Sequence, residues 1–177
     1  SMTVTELAIN ITPTADVICV GESVQLNTEI SGPGGEYEYS WTSIPEGFES
    51  DEANPTVMPE VTTTYIVSIT DGMIETGNQV SIEVNPLPEL TLSDDMLICI
   101  GDSAMFDAGM GHTEYLWTTG DTTSMIYAKT TGWYGVTVWN EFGCYAMDSA
   151  YLDVMMMPEK TSLSGPADVD IYVGTTS

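Results

Sequence analysis

The chain repeats one series of short motifs, and this internal repeat is the strongest constraint on its fold. Four motifs return in the same order: ICVGESVQL (18–26) as ICIGDSAMF (98–106), YEYSWTS (37–43) as TEYLWTT (113–119), TTTYIVSITDG (62–72) as TGWYGVTVWNEFG (131–143), and QVSIEV (79–84) as AYLDV (150–154). We therefore expect two structural units of the same kind, one after the other along the chain.

The repeated segments have the pattern of β-strands. Apolar and polar residues alternate in ESVQLNTEI (22–30), TTYIVSITD (63–71) and QVSIEV (79–84), which are rich in Val, Ile, Thr and Tyr. Gly, Pro, Asn and Asp interrupt the strands about every eight to twelve residues, a spacing typical of β-sandwiches. No segment has the pattern of a capped amphipathic helix. The sequence predicts an all-β protein of two tandem β-sandwich domains.

Proline-bearing segments mark the domain boundaries. NPLPEL (85–90) follows the first copy and MMMPEK (155–160) follows the second. VGTTS (173–177) resembles the start of each copy, which predicts the first strand of a truncated third module; a plain linker is the alternative. We interpret the chain as a piece of a longer protein, divided as follows: a tag or linker at 1–6, the first domain at 7–86, the second at 87–156, and a linker with the start of a third module at 157–177.

The charge of the chain is strongly acidic. Two basic and 27 acidic residues give a net charge of −25. Such a surface repels nucleic-acid phosphates and anionic lipid, so we expect neither as a partner. No apolar run approaches the roughly 18 residues that a membrane span needs, so no membrane insertion is expected.

The segment TTGWYGVTVWNEFGC (130–144) predicts a strand with two unlike faces. Tyr134, Val136 and Val138 alternate on the side expected to face the core, where Trp117 fills the space between the sheets. Trp41 is expected to take the same place in the first copy.

Trp133 and Trp139 fall on the opposite side of that strand and should point outward. They lie six residues apart, roughly 20 Å along a strand, and Gly135 and Thr137 between them would leave a shallow trough. Exposed aromatic rings suit stacking on sugars or contact with another protein, so Trp133, Thr137 and Trp139 are candidate ligand-binding residues. The alternative is that the tryptophans pack against a loop or the domain joint.

The runs CIGDSAMFDAG, YLWTTGDTTSMI and TTGWYGVTVWNEFGC resemble Ig-like and PKD-like repeats of large secreted or cell-surface proteins of Bacteroidetes-type bacteria. The resemblance implies that the two β-sandwiches are tandem Ig/PKD-like domains. It also implies an extracellular, adhesin-like context with further modules of the same chain as neighbours. It also implies that Cys99 and Cys144 form a disulfide within the second copy. Cys19 is then interpreted as a lone buried thiol, because Ile74 occupies its partner position.

Acidic residues at turns raise the possibility of calcium. Asp94, Asp95 and Asp121 are the candidate ligands, since calcium prefers clustered oxygen donors. The alternative is that the acids only keep a surface protein soluble.

Catalysis is not expected. His112 is the single histidine and lies in a Gly-rich turn, and no nucleophile or phosphate-loop motif is present. The favoured function is therefore a non-enzymatic spacer and attachment arm. The alternatives are a carbohydrate- or protein-binding module that uses the exposed aromatics, with glycans or surface proteins as partners, and an accessory domain of a secreted hydrolase.

Overall fold

The computed structural model describes residues 6–33 and 35–156 and shows an all-β protein, as predicted. Within the described residues, the first domain contains seven strands: β1 (Ala8–Pro13), β2 (Val17–Cys19), β3 (Val24–Ser31), β4 (Glu38–Ile44), β5 (Thr56–Val57), β6 (Thr63–Thr70) and β7 (Glu75–Asn85). The second contains six: β8 (Met96–Cys99), β9 (Ala104–Asp107), β10 (Glu114–Trp117), β11 (Met125–Ala128), β12 (Gly132–Trp139) and β13 (Tyr145–Met155).

The two domains share the strand order of their larger sheet and one strand pair of the smaller sheet. In the first, β1, β3 and β5 form one sheet, and β2, β7, β6 and β4 form the other in that order. In the second, β9 pairs with β11, and β8, β13, β12 and β10 form the larger sheet. Most neighbours are antiparallel, but β2 runs parallel to β7 and β8 runs parallel to β13. The sequence repeat therefore corresponds to a repeat of tertiary structure.

Each domain has its own hydrophobic core. Trp41 lies in one cluster and Trp117 in the other, and both indoles are fully buried. Each indole N–H also donates to a backbone carbonyl, Trp41 to Glu52 at 2.9 Å and Trp117 to Thr123 at 2.8 Å. Because a buried indole needs a partner for its N–H, this bond fixes the loop that covers each tryptophan.

The domains differ in the segment that precedes β2 and β8. The first domain forms strand β1 there, whereas the second has no strand before β8. Leu92 nevertheless lies in the second core, and its backbone N–H donates to Asp148 Oδ2 at 2.9 Å. Asn78, at the corresponding position of β7, donates its side-chain amide to the Ile9 carbonyl at 3.0 Å. One position thus anchors the first segment of each domain.

Some sequence predictions fall outside the described residues. These are the start of a third module within 157–177 and nearly all of the tag or linker at 1–6. They remain predictions, as do the domain boundaries at 86/87 and 156/157.

Candidate binding face and interdomain joint

The outer side of the sheet formed by β8, β13, β12 and β10 carries paired aromatic residues. Trp133 on β12 lies directly opposite Tyr151 on β13, with ring centroids 5.3 Å apart. Trp139 lies opposite Tyr145 in the same strand pair, with centroids 6.4 Å apart. We call this surface the aromatic face; its members are Leu116, Trp133, Trp139, Tyr145, Met147 and Tyr151.

Trp133 is the most accessible tryptophan of this face, with 65% of its surface exposed. Trp139 is half-buried, while Tyr134, Val136 and Val138 on the other side of β12 are buried. The predicted division of the strand into a core side and an outer side is confirmed. The alternative that a loop covers Trp133 is not supported, because its indole is mostly open to solvent.

Small residues separate the two aromatic pairs. Gly135 lies opposite Ser149 in the register of β12 and β13. A side chain at Gly135 would crowd the turn that follows β10, since an added Cβ would lie 3.2 Å from Thr118 Cγ2. Thr137 follows on the same side, between Leu116 and Met147. The surface therefore has two aromatic ridges, a low stretch at Gly135 and Ser149, and the exposed side chains of Met147 and Leu116 beside Thr137.

The first domain has a polar surface at the same place. The register of β6 and β7 sets Thr64 opposite Ser81 and Thr70 opposite Glu75, where the second domain has its two aromatic pairs. Thr64 and Ser81 contact each other through their hydroxyls at 3.5 Å. The aromatic face is thus a property of the second domain and not of the fold.

A disulfide joins the two domains. Cys19, the last residue of β2, is bonded to Cys144 in the turn between β12 and β13, and Cys99 is free. The predicted pair of Cys99 and Cys144 is therefore wrong, and so is the interpretation of Cys19 as a lone thiol.

The topology explains this pairing. Cys99 lies beside Met155 at the end of β13, whereas Cys144 immediately precedes Tyr145 at its start. An 11-residue strand separates the two positions, roughly 33 Å at about 3.3 Å per residue, which no disulfide can span. Cys19 lies beside Asn85 at the end of β7, where the chain passes to the second domain. Because β2 runs parallel to β7, Cys19 lies at the end of the first domain that meets the second. This placement depends on the pairing of the strands, which the spacing of the cysteines in the sequence does not show.

Polar contacts complete the joint. The Asn140 side-chain amide donates to the Pro86 carbonyl at 2.7 Å, which ties the β12–β13 turn to the linker. The Asn140 Oδ1 accepts the backbone N–H groups of Phe142 and Cys144 at 3.1 and 3.0 Å, which holds the turn in shape. Cys144 is fully buried. The cysteine is thus presented by a turn that is itself fixed to the linker.

The corresponding turn of the first domain uses an aspartate. Asp71 Oδ1 accepts the backbone N–H groups of Ile74 and Met73 at 2.8 and 2.9 Å. These two hydrogen bonds, that of Ile74 first, lower the pKa of Asp71 because they favour its charged form. Ile74 stands where the second domain has Cys144, and it is exposed.

The candidate calcium ligands do not lie together. Asp95 Oδ1 accepts the Tyr151 backbone N–H at 2.8 Å, and Asp121 Oδ2 accepts the Thr119 hydroxyl at 2.7 Å. Among residues 6–33 and 35–156, no group of three or more acidic, histidine or cysteine side chains is arranged to hold a metal ion. Calcium binding by Asp94, Asp95 and Asp121 stays a prediction of the sequence.

His112 lines an open groove of about 630 Å³ between the linker and the loop that follows β9. Its ring meets that of Tyr115 edge to face, with centroids 5.5 Å apart. Asp107 and Glu89 line the same groove. The histidine therefore has a packing role in this loop.

Comparisons with other proteins concern the fold only. No protein-family model and no curated protein matches the chain. The three N-terminal domains of the bacteriophage RB49 Highly Immunogenic Outer Capsid protein match with 17% identity and a TM-score of 0.44, over 84% of this chain and 59% of theirs. The N-terminal eight Ig domains of Down Syndrome Cell Adhesion Molecule match with 11% identity and a TM-score of 0.47, over 86% and 25%.

The fibronectin(III)-like modules of Clostridium thermocellum CbhA match with 8% identity and a TM-score of 0.40, over 84% of this chain and 95% of theirs. The chain thus spans less than two thirds of the phage protein fragment and a quarter of the eight-domain protein. The fold assignment rests on the strand order and the two cores described above. In the part of the chain that the structure describes, no helix is long and apolar enough to cross a membrane.

Proposed function

We propose that this chain is a non-enzymatic pair of extracellular modules that acts as a spacer and attachment arm of a larger, adhesin-like surface protein. The observation that carries the proposal is the disulfide between Cys19 and Cys144. Disulfides persist in oxidising compartments, outside the cytosol. A bond between two domains restrains how they are oriented, which is what a spacer requires.

The joint has two covalent connections where a simple linker has one. The chain itself crosses through Pro86 and Pro88, and the disulfide crosses through Cys19 and Cys144. Prolines restrict a linker, and a second connection removes most of its remaining freedom to bend. The net charge of −25 repels neighbouring arms, so a dense layer of such proteins would stay unaggregated.

Small-angle X-ray scattering tests this proposal. We compare the oxidised chain with a variant carrying Cys19→Ser and Cys144→Ser, and use Cys99→Ser as the control that keeps the interdomain bond. The oxidised chain and the control should give one narrow distribution of interatomic distances. The double variant should broaden it as the domains move independently. Equal distributions in all three proteins would contradict the spacer role of the disulfide.

A second function is favoured by the exposure of Trp133 and its pairing with Tyr151. We propose that the aromatic face binds neutral glycans. Two aromatic pairs roughly 20 Å apart match a chain of several sugars rather than one. The aromatic rings present apolar faces beside the small residue Gly135, and the aromatic face has no positively charged member. Such a surface suits an uncharged ligand better than an anionic one.

Isothermal titration calorimetry with a panel of soluble neutral oligosaccharides tests the glycan proposal, because its signal does not depend on the tryptophans that the variant removes. Trp133→Ala combined with Trp139→Ala should abolish the binding of any oligosaccharide that the unchanged chain binds, with the circular dichroism spectrum preserved. The matched control replaces Thr64 and Thr70, the equivalent first-domain residues, by alanine. No binding by the unchanged chain, or equal binding by both variants, would contradict the proposal. Self-association that disappears in the tryptophan variant would instead assign the face to protein contacts.

A further inference from the structure

Cys99 occupies in the second domain the place that Cys19 occupies in the first. Cys19 lies opposite Asn85 in the parallel pair β2–β7, and Cys99 lies opposite Met155 in β8–β13. The residue after each cysteine makes the same backbone bond: Val20 N–H donates to the Asn85 carbonyl at 3.0 Å, and Ile100 N–H donates to the Met155 carbonyl at 2.9 Å. The turns that follow also match, since Glu22 N–H and Asp102 N–H each donate to the preceding cysteine carbonyl at 3.1 Å.

The two positions differ in what covers them. Beside Cys19, Asn85 is buried with 8% of its surface exposed, and Val20 is half-buried. Beside Cys99, Met155 is 49% exposed and Ile100 is 61% exposed, and Met156 after them is exposed as well. The far end of the second domain is therefore an apolar surface around a half-buried thiol. These apolar residues are exposed to solvent, whereas the corresponding residues of the first domain lie at the joint with the second domain.

The sequence repeats the joint at the same distance. Pro88 and Glu89 follow Asn85 with two residues between, and Pro158 and Glu159 follow Met155 with two residues between. A further domain of this repeat, connected in the same register, would bring its β12–β13 turn to Cys99 as the second domain brings Cys144 to Cys19.

We propose that Cys99 is the attachment point for the next module of the same chain, through a disulfide to a cysteine in that module's β12–β13 turn. The modules would then be stapled head to tail along the array. The inference rests on the geometry of the Cys19–Cys144 joint and extends the proposed spacer function to the following module. Each staple forms when two thiols lose two protons and two electrons to a disulfide oxidant, which becomes two thiols.

The first domain sets the direction of the array. Its β6–β7 turn carries exposed Ile74 at the position of Cys144, so a module preceding it has no cysteine to bond there. A second, separate copy of this chain offers Cys99 no free Cys144, since that residue is bonded to its own Cys19, and could pair only through its own free Cys99.

The test inserts a second copy of residues 87–156 after Met156 of the full chain, with glutathione disulfide as oxidant. Alkylation and peptide mapping without reduction should find Cys99 joined to the cysteine of the inserted turn, and one free thiol, the inserted counterpart of Cys99. The control carries serine in place of the inserted Cys144 and should leave Cys99 free. A free Cys99 in the first protein, or Cys99 bonded to another molecule, would overturn the inference.

A second measurement uses the unaltered 177-residue chain. Cys99 should react with a thiol reagent in the native state, because the described residues 6–33 and 35–156 leave its side chain partly exposed. Reaction only after unfolding would overturn the inference without any inserted module. Failure to find the Cys19–Cys144 bond in this same chain would instead refute the proposed spacer function, so the two failures are distinguishable.

Discussion

The two domains have the same skeleton and different surfaces. Both place a tryptophan between their sheets, and both anchor their first segment to the same position of the last strand, through Asn78 in one and Asp148 in the other. Asn78 donates its hydrogen bond and Asp148 accepts one, so the connection is kept while its polarity is reversed. The fold therefore requires a bond at this position rather than one residue type.

The two domains differ at positions outside their hydrophobic cores. Thr64 and Ser81 of the first domain correspond to Trp133 and Tyr151 of the second, and Ile74 corresponds to Cys144. The first change leaves the core side of the strands unaltered, whereas the second puts a buried cysteine in the turn before β13 in place of an exposed isoleucine. The comparison separates positions that build a domain from positions that give one domain a task of its own.

The largest expected effect comes from the core tryptophans. Trp41→Ala and Trp117→Ala should each lower the free energy of unfolding of their own domain by about 3–5 kcal/mol, because each empties the space between two sheets and frees a loop. Chemical denaturation followed by circular dichroism measures this. Trp133→Ala is the control and should lower stability by about 1 kcal/mol or less, the contribution of its cross-strand pair with Tyr151. Equal losses for Trp133 and Trp117 would contradict the division of the strand into core and outer sides.

A smaller loss of stability is expected from a substitution at Gly77, where the backbones of β6 and β7 lie too close together for a side chain. A Cβ at Gly77 would lie 2.7 Å from the Val67 carbonyl oxygen, so Gly77→Ala should destabilise the first domain by about 1–3 kcal/mol. The corresponding second-domain residue, Met147, is exposed, and Met147→Ala is the matched control. Thermal unfolding of both variants decides whether the first domain depends on this glycine.

Calcium should have only a small effect on the thermal stability of the chain. The described acids do not gather into a metal site, so millimolar calcium should raise the unfolding temperature no more than magnesium does at equal ionic strength, through screening of the −25 charge. Differential scanning calorimetry in EDTA, magnesium and calcium measures the difference. A saturating rise specific to calcium, lost in Asp94→Asn with Asp95→Asn, would restore the sequence prediction of a calcium site.

The smallest effect concerns the two hairpin turns. Asp71 has a lowered pKa in the folded chain, so it contributes stability that is present above its unfolded pKa of about 3.9 and is lost as the pH falls through the folded value. Asn140 accepts the equivalent backbone hydrogen bonds in the second domain, and its amide does not titrate. Thermal unfolding between pH 2 and 6 should therefore show a shallower acid loss for Asp71→Asn than for the unchanged chain. An identical slope would show that the turn does not depend on this charge.

Much of the fold could be predicted from the sequence, because alternation and repetition are local. The strand β12 was expected with Tyr134, Val136 and Val138 inward, and the structure confirms it. The paired motifs gave the correspondence of β2 with β8 and of β6 with β12. Such patterns can be recognised from the spacing of side chains along one strand, without knowing which strand pairs with it.

The disulfide could not be read in this way. Pairing Cys99 with Cys144 assumes that a bond closes within one repeat, whereas the bond depends on which strands are parallel and on which end of a domain meets its neighbour. The partners of Trp133 and Trp139 were missed for the same reason. Tyr151 and Tyr145 lie on another strand, and only the register of β12 with β13 brings each beside its tryptophan.

The disulfide changes how a pull on this chain would travel. The linker that leads from Asn85 into the second domain is held there by the packing of Leu92 and by single hydrogen bonds to Asp148 and Asn140, which a steady load would peel away one at a time. The bond from Cys19 to Cys144 runs beside that linker and enters the second domain at the start of its longest strand. Tension would be shared by a covalent bond, and the strand would be loaded along its length, against hydrogen bonds on both sides that resist together.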